Sequence, residues 1–206
     1  MPDIILASAS AARLAVLRGA GVEPEVAVSG VDESGYQAAT TAGLVAVLAE
    51  AKAAAVAATR DRGIVVGCDS MLDLDGQALG KPGSAAAARR RWREMAGRTG
   101  TLFTGHCVID AATGRRAAAT AGTAVRFGTP SAEEIDAYVA SGEPLGAAGA
   151  FTIEGLGGWF VDGIDGDHGT VLGLSLPLLR RLLTSLGVSV PSLWTGRGMS
   201  PDRPPV

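Results

Sequence analysis

The amino-acid sequence predicts a single α/β domain. Its 206 residues are enough to bury one good core. Short β-branched runs such as residues 64–66 predict buried strands, and apolar stretches of helical length such as residues 44–58 predict helices packed on the sheet. We expect the domain to cover residues 1–190 and a flexible tail to follow over residues 191–206, because the chain from Thr195 onward holds no core residues.

The composition excludes several classes of function. A net charge of −3 and an isoelectric point near 5.4 predict no basic surface for nucleic acid or for an anionic membrane. The most apolar long stretch, residues 44–58, is interrupted by Glu50 and Lys52, so we expect no membrane span. The two cysteines, Cys68 and Cys107, form neither a disulfide framework nor a zinc signature. These features predict a cytoplasmic enzyme.

The stretch IVVGCDSMLDLDGQALGKP, residues 64–82, predicts a strand that returns through a tight turn. Asp69 is expected just beyond the apolar end of this strand, where a carboxylate can meet solvent and substrate. A three-residue loop with Gly76 in the left-handed conformation would place Asp69 across from Lys81 on one face. A two-residue Asp75-Gly76 turn would place them on opposite faces. We predict the three-residue loop. The alternative is an ordinary surface hairpin without a functional role, in which Asp69 and Lys81 are both solvated.

A strand, a hydroxyl-rich loop and a helix open the chain. Residues 4–7 predict the buried strand, Ser8 and Ser10 lie in the loop, and Arg13 lies one turn into the helix. Free backbone N–H groups and the helix dipole make such a helix start a phosphate site, and Arg13 is able to fork onto a phosphate. It is equally consistent with the pattern that either serine only caps the helix and that Arg13 is solvated.

Two further features supply charged groups. Of the 18 cationic residues only Lys52 and Lys81 are lysines, and a compact ammonium group suits phosphate, although chance also explains two lysines. Lys52 is predicted either to extend outward or to point into a cleft. Asp32 and Glu33 lie in a loop, where a functional role and a plain turn are both consistent with the sequence.

The second half of the chain predicts more regular elements. Residues 84–95 predict a helix capped by Ser84, with Trp92 as a core anchor and the neighbouring arginines on a solvated face. Residues 102–109 and 117–127 predict a long antiparallel hairpin. A cap residue, a proline near the first turn and two acidic residues within residues 129–134 predict a helix to residue 140, and residues 174–186 predict the last helix.

A glycine-dense stretch, residues 142–173, lacks the strand-GxGxxG-helix pattern of dinucleotide sites. Its apolar side chains argue against disorder. Glu154 is the one charge within FTIEGLGGWF, and either a base-reading or a structural role is open to it. On the preceding hairpin, we expect His106 to be a hydrogen-bonded strand residue and Cys107 to be buried.

A series of short motifs occurs in an order that resembles the Maf family. The motifs are LASASAARL at 6–14, VDES at 31–34, AEAK at 49–52, GCDS at 67–70, LGKP at 79–82, GRTG at 97–100, TGH at 104–106, SGEPL at 141–145, AGAFTIEGLGGWFVDGIDG at 148–166 and VLGLSLPLL at 171–179. The resemblance covers residues 4–187 with these motifs in the expected order, which makes it specific although each motif is short. It implies a mixed α/β sheet in two lobes, flanked by helices, with a central cleft.

The resemblance to the Maf family also implies an activity. Members of the family are nucleoside triphosphate pyrophosphatases, which cleave between the α and β phosphates to give a nucleoside monophosphate and pyrophosphate. They require a divalent cation, Mg²⁺ or Mn²⁺, and often form homodimers. Charge spread over a triphosphate calls for cations, backbone donors and a metal, which agrees with the residue types found here.

By position, Asp69 resembles the general base of the family, which would activate the attacking water. Asp69 and Glu33 are the candidate metal ligands. The residues that resemble the phosphate-binding turn, a supporting acid and the cleft cations, and that we predict to bind substrate, are Ser8, Ser10, Arg13, Glu33, Lys52 and Lys81. The residues that resemble specificity positions are Ala12, Ser70 and Glu154.

Departures from the family pattern leave the nucleobase unassigned. The family often has Pro-Arg after the second serine, where this chain has Ala11-Ala12, so one phosphate-contacting arginine is missing. The residue after the catalytic acid is often Thr and is Ser70 here. Members that prefer dTTP and UTP usually carry Gln in the segment that holds Glu154, whereas members acting on methylated or other nucleotides often carry Glu.

Two other functions are consistent with the sequence. One is a nucleotide-binding regulatory module linked to septum formation, in which Ala12 weakens catalysis. Tight nucleotide binding without turnover would favour it. The other is a nucleic-acid binder that uses the arginines of residues 89–93, for which a salt-dependent gel shift would be required. The acidic isoelectric point argues against the second.

Overall fold

The computed structural model describes residues 3–194. The strands are β1 Ile4–Leu6, β2 Glu25–Val26, β3 Ile64–Leu74, β4 Gln77–Leu79, β5 Thr99–Asp110, β6 Arg116–Phe127 and β7 Val161–Asp165. The α-helices are α1 Ala11–Gly19, α2 Thr41–Ala57, α3 Ala85–Met95, α4 Ala132–Ala140, α5 His168–Leu172 and α6 Leu176–Ser185. Among these described helices, none is long and apolar enough to cross a membrane.

Short 3-10 helices complete the connections. They are Glu33–Gly35, Glu143–Gly146, Ala148–Ala150, Leu156–Phe160 and Val190–Leu193. Leu193, in the last of these, is buried against the core formed with α6. The predicted start of the tail at residue 191 is therefore too early, and the remainder of that prediction, residues 195–206, lies outside the described residues.

A mixed sheet of seven strands organises the described part of the chain. Its order is β2-β1-β3-β5-β6-β7, and β4 pairs with β3. β1 is parallel to β2 and β3, whereas β3–β5, β5–β6 and β6–β7 are antiparallel. The predicted α/β class and the predicted long hairpin, which is β5 and β6, are confirmed.

The two halves of β3 serve different hydrophobic cores. Side chains alternate along a strand, so its even-numbered residues share one face. On that face, Ile64, Val66 and Cys68 pack into a core with α1 and α6, while Leu72 packs into a second core around Trp92 of α3. Ser70 falls between the two. The predicted arrangement of two lobes follows from this division, and the cleft lies where β3 passes from one core to the other.

α2 covers the opposite face of the sheet, as its apolar sequence predicts. It lies so close to β3 that a Cβ on Gly67 would come within 2.7 Å of the Ala53 nitrogen. Val45, Ala49 and Lys52 follow the i, i+4, i+7 spacing of one helical face. The face of α2 that packs on the sheet therefore carries Lys52 toward β3.

Replacing Gly105 by Ala is expected to lower the free energy of unfolding by about 1–3 kcal/mol, the usual effect of overpacking a core. Gly105 lies directly opposite Asp69 on β5, and its Cβ would overlap the Val45 carbonyl of α2. Gly19→Ala is the matched control, because open space surrounds Gly19 and alanine favours a helix by about 0.5–1 kcal/mol. Urea unfolding measures both variants. Wild-type stability in Gly105→Ala would contradict the close packing of α2.

The β3–β4 hairpin corrects one prediction. Leu74 pairs with Gln77, so the loop consists of the two residues Asp75 and Gly76, with φ angles of 54° and 83°. Positive φ at both positions is typical of the type I′ turn, whose twist matches that of the flanking strands. The predicted three-residue loop is wrong. β3 also continues well past Asp69, which therefore lies within the strand rather than beyond its end.

The predicted helix starts are confirmed. Ser84 caps α3 through its side chain, and Ser131 forms a capping box with Glu134 at the start of α4. Trp92 of α3 is fully buried and donates its indole N–H to the Ala150 carbonyl at 2.8 Å. It is the core anchor that the sequence predicts.

Candidate active site

An open cavity of about 870 Å³ is lined by residues from both lobes. The β1–α1 loop, the centre of β3 and segments of residues 143–154 contribute to its wall. All of the site residues predicted from the sequence line this cavity: Ser8, Ser10, Ala12, Arg13, Glu33, Lys52, Asp69, Ser70, Lys81 and Glu154. The fold thus brings together groups that are up to 146 positions apart, from Ser8 to Glu154.

Lys52 joins two carboxylates at the centre of the cavity. Its Nζ lies 2.5 Å from Oδ1 of Asp69 and 2.6 Å from Oε1 of Glu33. The Asp69 and Lys52 side chains are only 7% and 12% exposed, whereas that of Glu33 is 51% exposed. Of the two orientations predicted for Lys52, the one into the cleft is confirmed. The expectation that Asp69 meets open solvent is wrong, because α2 covers it.

The surroundings of Asp69 make it a stronger base than an ordinary carboxylate. Burial raises the pKa of its carboxyl group, and the attraction of Lys52 and Arg13 offsets only part of this effect. Oδ2 of Asp69 is buried and has no hydrogen-bond partner within residues 3–194. A buried carboxylate oxygen without a protein partner is a group that water or a cation satisfies.

The serines of the β1–α1 loop have two functions in the local structure. Ser10 caps α1 by accepting the Arg13 N–H at 3.4 Å. Ser8 Oγ accepts the Ser10 N–H at 3.2 Å and an Arg13 Nη1–H at 2.9 Å. With both acceptor positions of Ser8 used, its hydroxyl proton is the group left to donate. Ser10 therefore caps the helix as one alternative predicts, but Arg13 is not solvated as that alternative also requires. Both serines line the cavity, and phosphate binding at this helix start stays a prediction.

Arg13 holds the β1–α1 loop against the rest of the protein. Its Nε–H donates to the Gly173 carbonyl at 2.9 Å, and Nη1 donates to the Cys68 carbonyl at 2.9 Å as well as to Ser8. Nη2 donates to Ser70 Oγ at 3.0 Å. Four of the five guanidinium N–H groups are thus engaged by protein acceptors, which leaves one for a ligand. The predicted fork onto phosphate is not the arrangement found.

A chain of hydroxyl groups fixes Arg13 from behind. Thr104 Oγ1 donates to the Thr170 carbonyl at 2.8 Å, so it has to accept the proton of Ser70, 2.9 Å away. Ser70 in turn accepts from Arg13. Each hydrogen bond from Arg13 through Ser70 and Thr104 to the Thr170 carbonyl therefore has one possible direction. Ser70 lines the cavity, but its hydroxyl group is committed to this internal chain.

Lys81 reaches the cavity from outside the sheet. β4 ends at Leu79, so the turn register no longer decides on which face Lys81 lies. The Gly80 carbonyl accepts from Arg91 Nη1 at 2.5 Å and from the Gly149 N–H at 3.1 Å, which fixes the adjacent backbone. Lys81 is exposed and has no ion pair among residues 3–194. Its ammonium group is available to an anion.

The buried histidine and cysteine are not suited to acid–base or nucleophilic work. His106 accepts the Ser175 N–H on Nε2 at 2.9 Å, and its Nδ1 lies 3.1 Å from the Thr104 carbonyl, to which it donates. Burial lowers the pKa of His106 to about 4 and raises the pKa of Cys107 to about 12. Both residues are neutral at pH 7, and the predictions for them are confirmed.

A sequence model of the family described as "Maf-like protein" matches residues 3–186. The chain belongs to the Maf family. Curated relatives named "Nucleoside triphosphate pyrophosphatase" cover nearly its whole length. The one from Streptomyces coelicolor is 62% identical over 93% of this chain and 94% of the relative. Those from Streptomyces avermitilis and Mycobacterium sp. (strain JLS) are 59% and 56% identical, over 94% and 93% of this chain and 95% and 98% of each relative.

Glu143 lines the cavity of this Maf protein without having been predicted as a site residue. It follows Gly142 at the end of α4 and opens a 3-10 helix. Its carboxylate accepts hydrogen bonds from residues that lie nine to fourteen positions further along the chain. The motif SGEPL contains the only local signal, an acidic residue directly after a glycine in a loop.

Proposed function

We propose that this Maf protein is a nucleoside triphosphate pyrophosphatase. It hydrolyses the α–β phosphate bond of ribo- or deoxyribonucleoside triphosphates, non-canonical or modified ones included, to a nucleoside monophosphate and pyrophosphate. The observation that carries the proposal is the buried Asp69 carboxylate, held by Lys52 inside a cavity that also contains the start of a helix and a second lysine. The name of its relatives supports the same class of reaction.

The triphosphate is held by groups that carry positive charge or donate hydrogen bonds. The backbone N–H groups of Ala11 and Ala12, at the start of α1, have no partner within the helix and form part of the positive end of its dipole. The Ser8 hydroxyl proton, the remaining N–H of Arg13 and the ammonium groups of Lys52 and Lys81 complete the set. Such fixed donors stabilise the charge that develops on the leaving phosphate oxygens.

Asp69 acts as the general base. Its carboxylate accepts a proton from a water molecule, and the water oxygen forms a bond to the α-phosphorus. The bond between the α-phosphorus and the bridging oxygen breaks, and its electron pair leaves with pyrophosphate. The raised pKa of Asp69 favours this step because it brings the carboxylate closer to the working pH. Lys52 keeps the carboxylate oriented and compensates part of its charge.

The residues present fit a divalent cation. Asp69 Oδ2 is buried without a partner in the described range, Glu33 is half exposed beside it, and both offer the oxygen ligands that Mg²⁺ and Mn²⁺ prefer. No cluster of three or more His, Cys, Asp and Glu suited to a metal occurs within residues 3–194. The pair Asp69 and Glu33 matches the way in which Mg²⁺ is commonly held, by one or two carboxylates together with substrate phosphates. When bound, the cation neutralises phosphate charge and assists departure of pyrophosphate.

A panel of canonical and modified nucleoside triphosphates tests the proposal. With Mg²⁺ or Mn²⁺ present, at least one triphosphate is expected to release pyrophosphate, and removal of the cation by EDTA is expected to abolish release. No release from any triphosphate would contradict the activity. Calorimetry on the same panel would then detect the alternative, a nucleotide-binding regulatory module without turnover.

Replacing Lys52 by Met is expected to move the acidic limb of the pH–rate profile to higher pH. Lys52 is the main group that lowers the pKa of Asp69, so its removal raises that pKa further. The base must be ionised to act, and kcat/KM therefore falls at a higher pH than in the wild type. Lys81→Met is the matched control, because Lys81 lines the cavity without contacting Asp69. It should lower kcat/KM and leave the position of the limb unchanged. An unmoved limb in Lys52→Met would contradict the Asp69 assignment.

The family resemblance supports further proposals about the setting of the enzyme. We propose a homodimer in the cytoplasm, with a nucleoside triphosphate as substrate and without nucleic acid or membrane as a partner. Light scattering after size-exclusion chromatography measures the oligomeric state, and a mass of one chain would contradict the dimer. A salt-dependent gel shift with DNA or RNA would contradict the absence of a nucleic-acid partner.

A further inference from the structure

The carboxylate of Glu143 is enclosed by a loop formed by residues 152–157. Its Oε1 accepts the Thr152 hydroxyl and the Gly157 N–H, the latter at 3.1 Å. Its Oε2 accepts the Leu156 N–H at 3.1 Å. One side chain thus satisfies donors at both ends of the loop.

The shape of the loop is fitted to this carboxylate. A Cβ on Gly155 would lie 2.7 Å from both carboxylate oxygens of Glu143, and a Cβ on Gly157 would lie 2.5 Å from the Tyr138 hydroxyl oxygen. Glycine at these positions lets the backbone pass close to the two side chains. The Thr152 N–H also donates to the Tyr138 hydroxyl oxygen at 3.3 Å.

The groups that hold the loop are themselves fixed to the second core. Tyr138 of α4 is buried, and its ring packs edge-on against Trp92 with centroids 5.6 Å apart. The Glu143 N–H donates to Ser141 Oγ at 3.3 Å, directly after α4. Burial acts to raise the pKa of Glu143, but its hydrogen bonds outweigh this effect and hold the pKa below the ordinary value. The side chain therefore stays an ionised acceptor.

We propose that Glu143 is a positioning residue that fixes the 152–157 loop, orients Glu154 toward the nucleobase and so sets discrimination among bases. Glu154 lies between the two anchor points, Thr152 and Leu156, and is exposed in the cavity. Its direction is set by the loop backbone that Glu143 holds. The inference rests on the proposed binding of a nucleotide in this cavity.

Glu143→Gln removes one acceptor while preserving the size of the side chain. An amide has one oxygen and an NH₂ group, and the NH₂ would face a backbone N–H of the loop. For the preferred nucleotide we expect KM to rise about tenfold with little change in kcat, the size expected for the loss of one charge-assisted hydrogen bond. The ratio of kcat/KM between preferred and disfavoured bases should fall by a similar factor.

The test compares base discrimination with phosphate binding in the full chain. Discrimination is measured as the ratio of kcat/KM across the triphosphate panel and as the ratio of Kd in EDTA by calorimetry. Inorganic tripolyphosphate, which has no base, serves as the second probe. Its inhibition constant is expected to stay within about twofold of wild type in Glu143→Gln, because the phosphate-binding groups are elsewhere in the cavity.

Two variants complete the design. Thr152→Val removes one hydrogen-bond donor to Glu143 and is expected to reduce base discrimination, as Glu143→Gln does. Thr152→Ser keeps the hydroxyl donor and is expected to keep wild-type discrimination. Glu133→Gln, the same change at an exposed position of α4, is expected to leave every readout unchanged.

The outcomes separate this inference from the proposed function. Unchanged Kd ratios in Glu143→Gln, a tenfold weaker inhibition by tripolyphosphate, or a wild type without base preference would each overturn the inference. If the wild type releases no pyrophosphate but its Kd values differ among bases, the pyrophosphatase proposal fails. The Kd ratios of Glu143→Gln then still decide on the role of Glu143.

Discussion

Replacing Asp69 by Asn is expected to lower the rate of pyrophosphate release by a factor between about 10² and 10⁴, the range that a positioned general base contributes. Asparagine has nearly the same shape and can still accept from Lys52, but it cannot take a proton from water. Steady-state kinetics on the preferred triphosphate measure the loss. Asp61→Asn is the matched control at an exposed residue outside the cavity and should keep wild-type activity. Activity of Asp69→Asn within about tenfold of wild type would contradict the assignment.

The same variant is expected to keep or gain stability. Because burial raises the pKa of Asp69, the folded protein binds this proton more tightly than the unfolded chain. Stability therefore falls as the pH rises from the ordinary value of 3.8 through the raised value, and at neutral pH the buried charge is unfavourable. The free energy of unfolding of Asp69→Asn at pH 7.5 should equal or exceed that of the wild type. A lower value would indicate that lost activity reflects unfolding.

Replacing Arg13 by Met is expected to lower the free energy of unfolding by at least about 3 kcal/mol, because each buried acceptor left without a donor costs about 1–3 kcal/mol. Arg13 supplies the Cys68 and Gly173 carbonyls and two serine hydroxyls with hydrogen bonds. Arg13→Lys is expected to restore little, since one ammonium group cannot span four acceptors. Urea unfolding measures the change, and pyrophosphate release should fall with it.

Arg18→Met provides the matched control for Arg13. Both arginines lie on α1, but the Arg18 side chain is 54% exposed and, among residues 3–194, forms its ion pair with Glu23 on the surface. An exposed pair of this kind contributes about 0–1 kcal/mol, so this variant should unfold almost like the wild type. Equal stability of the Arg13 and Arg18 variants would contradict the bracing role of Arg13.

Features set by local sequence were predictable. The caps at Ser84 and Ser131 satisfy backbone donors three residues away. The apolar β-branched run at the start of β3 favours a buried strand whatever its neighbours in the sheet are. Features set by distant partners were not. The strand β7 is recognisable only through its pairing with β6, because it is five residues long, lies within a glycine-dense stretch and has no fully buried residue. The β3–β4 loop has two residues, one fewer than the loop predicted from the sequence, and the pairing of Leu74 with Gln77 decides between the two lengths.

The same distinction applies to the site. The family motifs predict which residues line the cavity, but not what each side chain contacts. Arg13 finds its acceptors 55 and 160 positions away, at Cys68 and Gly173, and no spacing rule reports them. Lys52 lies on a helix that is apolar on every side, so the helix sequence does not show which face packs on the sheet. Gly67 and Gly105 allow α2 to approach the sheet closely, and this contact sets the direction of Lys52.

The products formed from the preferred triphosphate test the central claim most directly. With Mg²⁺ or Mn²⁺, chromatography of the nucleotides and a separate assay of pyrophosphate are expected to give the monophosphate and pyrophosphate in equal amounts. Formation of a nucleoside diphosphate with orthophosphate, or no product at all, would contradict hydrolysis at the α–β bond in this cavity.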